Sequence, residues 1–320
     1  MHAIYIDRRD AALAWRDGAV EVRTPGSSPQ TIPLRGVARL VVMGSATLSA
    51  GLLAQCWERD VGVLVLSGRR ASPTARFYGA PHSDATLRVD QAVLSRNPLA
   101  SARLAREVAA AKLVAQARLL RKLGQSRPGG RALTEGVLTQ VLSAASRLRE
   151  DGALTADMTR GVEGAAAAAY FRALSGFFPP SLGFAERNRR PPRDPVNATL
   201  SLGYVLAGFE AGRQAQMIGL DPAIGALHAL APGRDSLALD LVEPARPKID
   251  AFAQDLFLRR VLRCDHFRAE PDGAVLMGKA GRAAFYAAFE DFAPGLSRYL
   301  RGVARAAAKR VRAMAQETTP

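Results

Sequence analysis

The chain has little cysteine, few histidines, little aromatic content and no long apolar run. Its two cysteines, Cys56 and Cys264, lie far apart in 320 residues. Neither has a partner at metal-binding spacing, which argues against a thiolate zinc site and a disulfide framework. Both read as buried apolar thiols. No stretch reaches the roughly 18 uninterrupted apolar residues of a membrane span. The opening Met1-His-Ala-Ile-Tyr-Ile-Asp7 has no basic segment followed by an apolar one. A cytoplasmic protein with no membrane partner is expected. A Walker-type phosphate loop and a Gly-x-Ser-x-Gly elbow are both missing, so nucleotide hydrolysis and esterase chemistry lack support. Acidic residues are scarce too: 29 Asp and Glu face 44 Lys and Arg, a formal charge of +15. Arg far outnumbers Lys. Its planar fork matches phosphate oxygens, so the excess suits nucleic acid, although a GC-rich coding bias produces the same excess.

Apolar residues make up 48% of the chain, much of it Ala and Leu, which favours helices. Residues 1–80 read mostly as strands. Ala3–Ile6, the flanks of the hairpin signal Asp17-Gly18, Arg39–Met43, Gly62–Leu66 and Thr74–Tyr78 have strand character. Residues 49–60 carry helical spacing. Ala80-Pro-His-Ser-Asp84 marks a boundary. The expected division is a β-domain over 1–80, a linker over 81–87 and a helical domain over 88–320. The fold class is α+β, a small N-terminal β-rich domain followed by a larger all-α domain.

From Thr86 the period becomes 3.6 residues. A long helix is expected from Pro98 to about Leu123, with Leu104, Val108, Ala111, Leu113, Ala115 and Leu119 as its apolar stripe. Arg103, Arg106, Lys112, Arg118 and Arg121 take much of the rest. Further helices are expected over 134–149 and 155–174. Glu163 sits in the second of these, just before Ala165–Ala169. In such surroundings a carboxylate is solvated, paired with an Arg such as Arg160, or bound to a cation. The loop 187–193 holds four arginines in seven residues. Asp194 as N-cap and Pro195 at the first helical position start the next helix, which ends near Gly219. Asp221-Pro222 repeats that signal, so a short helix to His228 is expected. Asp240 and Glu243, three apart, share a helical face. Val275–Met277 reads as a small strand. Arg298, Arg301, Arg305, Lys309 and Arg312 form a basic stripe on the last helix.

His228 with Asp240 and Glu243 is a mixed nitrogen and oxygen set. It suits Mg2+ or Mn2+ better than structural zinc. Read locally, a histidine between Leu227 and Ala229 is more often a core histidine than a ligand, and the two acids equally fit a solvated face.

Four segments together carry a resemblance. They are Gly161-Val-Glu-Gly-Ala-Ala-Ala-Ala-Ala-Tyr-Phe171, Arg190-Pro-Pro-Arg-Asp-Pro-Val-Asn-Ala-Thr-Leu-Ser-Leu-Gly-Tyr204, Gly219-Leu-Asp-Pro-Ala-Ile-Gly-Ala-Leu-His228 and Ser236-Leu-Ala-Leu-Asp-Leu-Val-Glu-Pro-Ala-Arg-Pro247. In order and spacing they resemble the CRISPR-associated spacer-acquisition integrases (Cas-one) over nearly the whole chain. Ile4-Tyr-Ile-Asp7 and Arg88-Val-Asp-Gln91 also match that family's habits. The resemblance implies a homodimer through the N-terminal domains, with two such dimers flanking a dimer of the small adaptation partner, Cas-two. It implies that Glu163, His228 and Glu243 are the catalytic metal ligands for Mg2+ or Mn2+. Asp240 falls at a further acidic position, and Asn197 and Tyr204 in supporting ones. The implied reaction is phosphoryl transfer: the 3′-hydroxyl of a captured double-stranded DNA fragment attacks a phosphodiester of the CRISPR repeat. Arg187, Arg189, Arg190 and Arg193, with Arg213 or Arg246, are the candidate DNA contacts.

Two features depart from the family pattern. Phe184-Ala-Glu-Arg-Asn-Arg189 stands where Gly-Arg is expected around Glu186. Pro244 follows Glu243 where another acid is common, and it removes an amide donor beside a ligand. The competing readings are a metal-dependent nuclease that acts on branched DNA without integration, and a non-catalytic DNA-binding scaffold.

Overall fold

The computed structural model describes residues 2–8, 10–67, 72–82, 84–188 and 191–318. Strand β1 (His2–Ile6) is followed by a hairpin of β2 (Ala12–Arg16) and β3 (Ala19–Arg23). Asp17 and Gly18 both take positive φ, 46° and 87°. A two-residue hairpin needs that geometry to match strand twist, and Asp-Gly accepts it at little cost. Then come β4 (Gln30–Pro33), β5 (Val37–Met43), β6 (Thr47–Leu48), α1 (Ala50–Glu58), β7 (Gly62–Leu66) and β8 (Pro73–Phe77). One sheet has the order β1-β5-β7-β8, with β8 antiparallel to its neighbour. The other has the order β4-β3-β2-β6.

Side chains alternate across a strand, and here the alternation serves two cores. Leu40, Val42 and Val63 point toward Leu13, Val20, Val22 and the α1 residues Leu52 and Cys56. Val41, Met43, Leu64 and Leu66 point the other way, into the core built by the helices. The first sheet is therefore buried on both faces.

The remainder is largely helical: α2 (Thr86–Arg96), α3 (Pro98–Gln125), α4 (Gly130–Glu150), α5 (Ala156–Ser175), α6 (Pro195–Met217), α7 (Ser236–Val242), α8 (Arg246–Leu258) and α9 (Lys279–Thr318). A small hairpin of β9 (Phe267–Ala269) and β10 (Val275–Met277) precedes α9. The architecture is the β-rich N-terminal region and mainly helical remainder expected from the sequence. Helix α6 starts where its signals say. Asp194 Oδ1 accepts the Asn197 N–H at 2.7 Å and Pro195 takes the first turn. It is buried along most of its surface, with Ser201, Val205 and Gly208 half-buried on one face, and packs against α7, α8 and α9. Among the described residues no helix is long and apolar enough to cross a membrane.

Three expectations need correction. Residues 222–228 form turns and bends rather than a helix. Cys56 is buried, but Cys264 is exposed. Of the expected apolar stripe of α3, Leu113 and Leu119 are buried, Leu104, Val108 and Ala115 are half-buried and Ala111 is exposed, while Ala105, Ala109, Lys112, Gln116, Leu120 and Leu123 are buried as well. Small and polar residues fill part of the buried face of that helix, so hydrophobicity alone leaves that part out.

A buried ionic network ties sheet to helices. Arg39 of β5 meets Glu210 of α6 at 3.1 Å and Glu290 of α9 at 3.5 Å. Glu210 also takes Arg213 at 3.2 Å, Gln214 at 2.8 Å and the Ser297 hydroxyl at 2.5 Å. Burial pushes the Glu210 carboxyl up, but Arg213 and Arg39 overcome it and hold the group down at about 2. Arg213, only 2% exposed, belongs to this network, so its expected role as a DNA contact is replaced by a structural one.

Removing one partner of a buried pair leaves an unmatched charge. Arg39→Met should lower unfolding free energy by about 3 kcal/mol, measured in urea at pH 7. Because Glu210 titrates lower in the fold than in the unfolded chain, its stabilisation is present above about 4.5 and is lost as pH falls toward 2. The acid-induced loss in that window should be shallower in Arg39→Met, and parallel pH profiles would contradict the assignment.

Candidate active site

The loop 222–228 is shaped by one carboxylate. Asp240 of α7 accepts the backbone N–H of Ala226 at 2.6 Å, Leu227 at 3.0 Å and His228 at 2.9 Å. Three successive amides that a helix would aim at carbonyls converge here on an anion. The loop is braced on its other side by Gln91 of α2, which bonds both Asp221 and Ile224. A side chain at Gly225 would meet the Ser236 backbone at 2.6 Å, so only glycine lets the loop lie this close to α7.

Asp240 also fixes the imidazole. His228 Nδ1 lies 2.7 Å from Asp240 Oδ1. A carboxylate only accepts, so Nδ1 carries the hydrogen and Nε2 of the neutral ring keeps the lone pair. Nε2 faces Glu243 Oε1 at 3.8 Å. The ring therefore stands between two carboxylates that lie three residues apart. Its side chain is 24% exposed, while Glu243 is 3% exposed.

Glu163 is brought to the same point from α5 by Lys112, a residue the sequence reading placed on the outer face of α3. The Lys112 ammonium is 3% exposed. It lies 2.5 Å from Glu163 Oε1 and 2.5 Å from Glu243 Oε2. Of the options open for Glu163, the structure selects pairing with a cation, but Lys112 rather than Arg160. Arg160 pairs with Asp157 and donates to the Leu227 carbonyl, which steadies the His228 loop. Arg246 Nε bonds Glu243 Oε1 at 2.8 Å. Burial pushes the Glu243 carboxyl up, yet Arg246 and Lys112 together hold it far below the ordinary carboxylate range.

Glu163 and Glu243 thus converge on one ammonium, and His228 joins the group through Glu243. Among the described residues no group of three His, Cys, Asp or Glu side chains lies close enough together to hold a metal ion as they stand; Lys112 stands between Glu163 and Glu243. The donor chemistry nevertheless fits a hard divalent ion. A cation already occupies the gap: the Lys112 ammonium lies on Glu243 Oε2 and on Glu163 Oε1, so both oxygens are already arranged around a positive charge. The supported Nδ1–H is the usual means of orienting a ligating histidine.

Behind this group, Arg246 stacks over Tyr204 at 4.4 Å and Arg187 over the same ring at 5.4 Å. The Tyr204 hydroxyl donates to Asp250, as does Tyr170 at 2.7 Å. Asn197 organises the start of α6: its side chain accepts from Arg187 at 2.6 Å and from the Asn188 amide at 3.0 Å, and donates to Glu186 at 2.8 Å. Asn197 thus holds Arg187, and Tyr204 lies under both Arg187 and Arg246. A cleft of about 750 Å3 opens beside His228. Arg76, Arg187, Arg234, Arg246 and Arg282 line it, with Asp235 as the acidic member. Arg193 is exposed just outside. Arg189 and Arg190 lie outside the described residues. The sequence reading missed Lys112, Asp250, Arg76, Arg234 and Arg282. A usable signal existed only for Lys112, whose spacing from Ala105 and Ala109 puts it on the buried face.

The family model for CRISPR associated protein Cas1 matches residues 4–291. A CRISPR-associated endonuclease Cas1 of Thermodesulfovibrio yellowstonii is 33% identical over 312 residues, covering 97% of each chain. The solved Cas1 protein of Thermotoga maritima superposes with a TM-score of 0.85 at 21% identity, covering 97% of each chain. A casposase solved bound to its integration product superposes with a TM-score of 0.80 at 17% identity, covering 97% of this chain and 91% of the casposase.

Asp250 gives this site a pH signature. Burial pushes its carboxyl up to about 6, despite the hydrogen bonds from Tyr170 and Tyr204. The folded state holds that proton more tightly than the unfolded one. Stability from this group is therefore full below about 4 and lost as pH rises through about 6. The difference in urea stability between wild type and Asp250→Asn should change over that window and be level above it. A difference independent of pH would remove the assignment.

Proposed function

The chain belongs to the Cas1 family, and from that premise we propose that it is a metal-dependent DNA integrase and endonuclease of CRISPR adaptation. The observation that carries the reading is the convergence of Glu163, Glu243 and His228 Nε2 beside an arginine-lined cleft. Mg2+ or Mn2+, held by these three side chains, would neutralise charge on the transferring phosphate and stabilise the attacking or leaving oxygen. The chain's own residues do the rest. Asp240 holds the imidazole so that Nε2 serves as a ligand, which leaves His228 no part as a proton shuttle. Arg246 keeps Glu243 ionised and oriented. Arg187, Arg193 and Arg246 set the anionic backbone of the DNA so that a 3′-hydroxyl lies in line with the phosphodiester.

The substrate is double-stranded DNA, a captured fragment joined at its 3′-OH ends to the CRISPR repeat by transesterification. The casposase bound to its integration product has this fold, which favours strand transfer over hydrolysis alone. The protein works as a homodimer through its N-terminal β-region, with the small partner Cas-two. The second reading, a nuclease acting on branched DNA without integration, uses the same residues. Supplying Cas-two and a repeat-bearing plasmid separates the two, because only an integrase joins fragments at the repeat ends.

Glu163→Gln and His228→Ala should each lower strand transfer by about 100-fold or more while thermal unfolding stays cooperative. A wild-type rate in either would remove the metal assignment. Arg193→Ala should weaken DNA binding independently of sequence and reduce the slope of log K against log salt by about 1, measured by titration from 50 to 200 mM salt (roughly the range over which phosphate contacts are read).

A further inference from the structure

Lys112 has a second feature beyond its two contacts. One helical turn further along the same buried face of α3 lies Gln116, 1% exposed. Neither its Oε1 nor its Nε2 has a hydrogen-bond partner among the described residues. A buried, wholly unmatched amide is costly, and one placed at i+4 from a lysine is within that side chain's reach. Lys112 itself holds together two carboxylates from different parts of the chain, Glu163 of α5 and Glu243 just after α7.

We propose that Lys112 is a resident placeholder cation that yields its position between Glu163 and Glu243 when a divalent ion binds and moves its ammonium onto Gln116 Oε1. This rests on the metal reading above and adds to it a competition between two cations for one pair of oxygens.

Charge sets the sign. With Lys112 in place, the two glutamates are met by Lys112 and Arg246, which leaves little net attraction for a third cation. Withdrawal of the ammonium restores one negative charge at the point where the ligands meet. Gln116 makes that withdrawal feasible inside the protein, because an ammonium leaving one buried acceptor needs another. In the metal-free chain Lys112 holds the carboxylates close and prevents their mutual repulsion from opening the site. Lys112 is thus a positioning residue, not one that touches the DNA.

The test is Mn2+ binding to the full-length chain without DNA, followed by calorimetry and by the electron paramagnetic resonance of free Mn2+. Lys112→Met should bind Mn2+ about tenfold more tightly or better, since one neighbouring charge shifts a site by about one to three log units. Its metal-free form should melt lower than wild type, and Mn2+ should raise its melting temperature by more. Lys112→Arg, which keeps the charge, should bind Mn2+ no more tightly than wild type. Gln116→Leu, which takes away the acceptor, should bind more weakly, and in the double variant Lys112→Met/Gln116→Leu that weakening should vanish. Mn2+ affinity unchanged or weakened in Lys112→Met overturns the placeholder, as does a Gln116→Leu effect that persists in the double variant. If wild type shows no saturable Mn2+ site, or if Glu163→Gln binds as tightly as wild type, the metal reading falls and the placeholder falls with it.

Discussion

Two carboxylates that both stay ionised at close range in a protein interior need a cation between them, and that requirement arranges the centre of this molecule. Glu163 and Glu243 come from helical segments separated by the whole of α6. What joins them is one ammonium from α3. The contact couples the packing of α3 and α5 to the short helices that carry Asp240 and Glu243. It also explains why the buried face of α3 is lined by Ala105 and Ala109 rather than by larger side chains. A lysine stem and a glutamine occupy the space there, and small neighbours let α5 and the turn after α7 come close.

The same electrostatic rule is met differently a short distance away. Glu210 is as buried as Glu243 and is likewise held ionised by two cations. Its oxygens, however, are taken by Arg39, Arg213, Gln214 and the Ser297 hydroxyl. Nothing remains for a ligand, and the cluster faces the core between sheet and helices. Glu243 is met by Arg246 and by the ammonium of Lys112, and its imidazole neighbour opens on a cleft. Access to the cleft, rather than burial or pKa, separates the cluster that stabilises the fold from the one suited to chemistry.

What could be read in the sequence was local. Asp17-Gly18 dictates its hairpin turn, and Asp194-Pro195 dictates the start of α6, because cap and turn chemistry act within three residues. The His228 loop was misread as a helix for the opposite reason. Its Asp-Pro start is a genuine cap signal, but the amides of residues 226–228 are claimed by Asp240, twelve to fourteen positions along the chain. Lys112 was hidden because a lysine counts as polar wherever it stands, and only its spacing from the small buried residues Ala105 and Ala109 sets it on the inner face. Arg213 looked like any other arginine until its burial beside Glu210 was known. Glu163, His228 and Glu243 were named through family resemblance; their spacing alone left a core histidine and a solvated acidic face equally open.

Pro244, directly after Glu243, removes an amide donor and so changes the turn that carries the acid. In an unbroken helix the amide of residue 244 would bond the Asp240 carbonyl. Proline has no such hydrogen, so that carbonyl instead accepts the Glu243 N–H, three residues on, and a 3-10 turn runs over Glu243–Ala245. In a 3-10 turn residues i and i+3 eclipse one another. The proline therefore brings Asp240, Glu243 and Arg246 toward one line. Asp240 takes His228 Nδ1, Glu243 faces Nε2, and Arg246 closes on Glu243 from the next step. The departure from the family pattern at position 244 aligns the acid rather than displacing it.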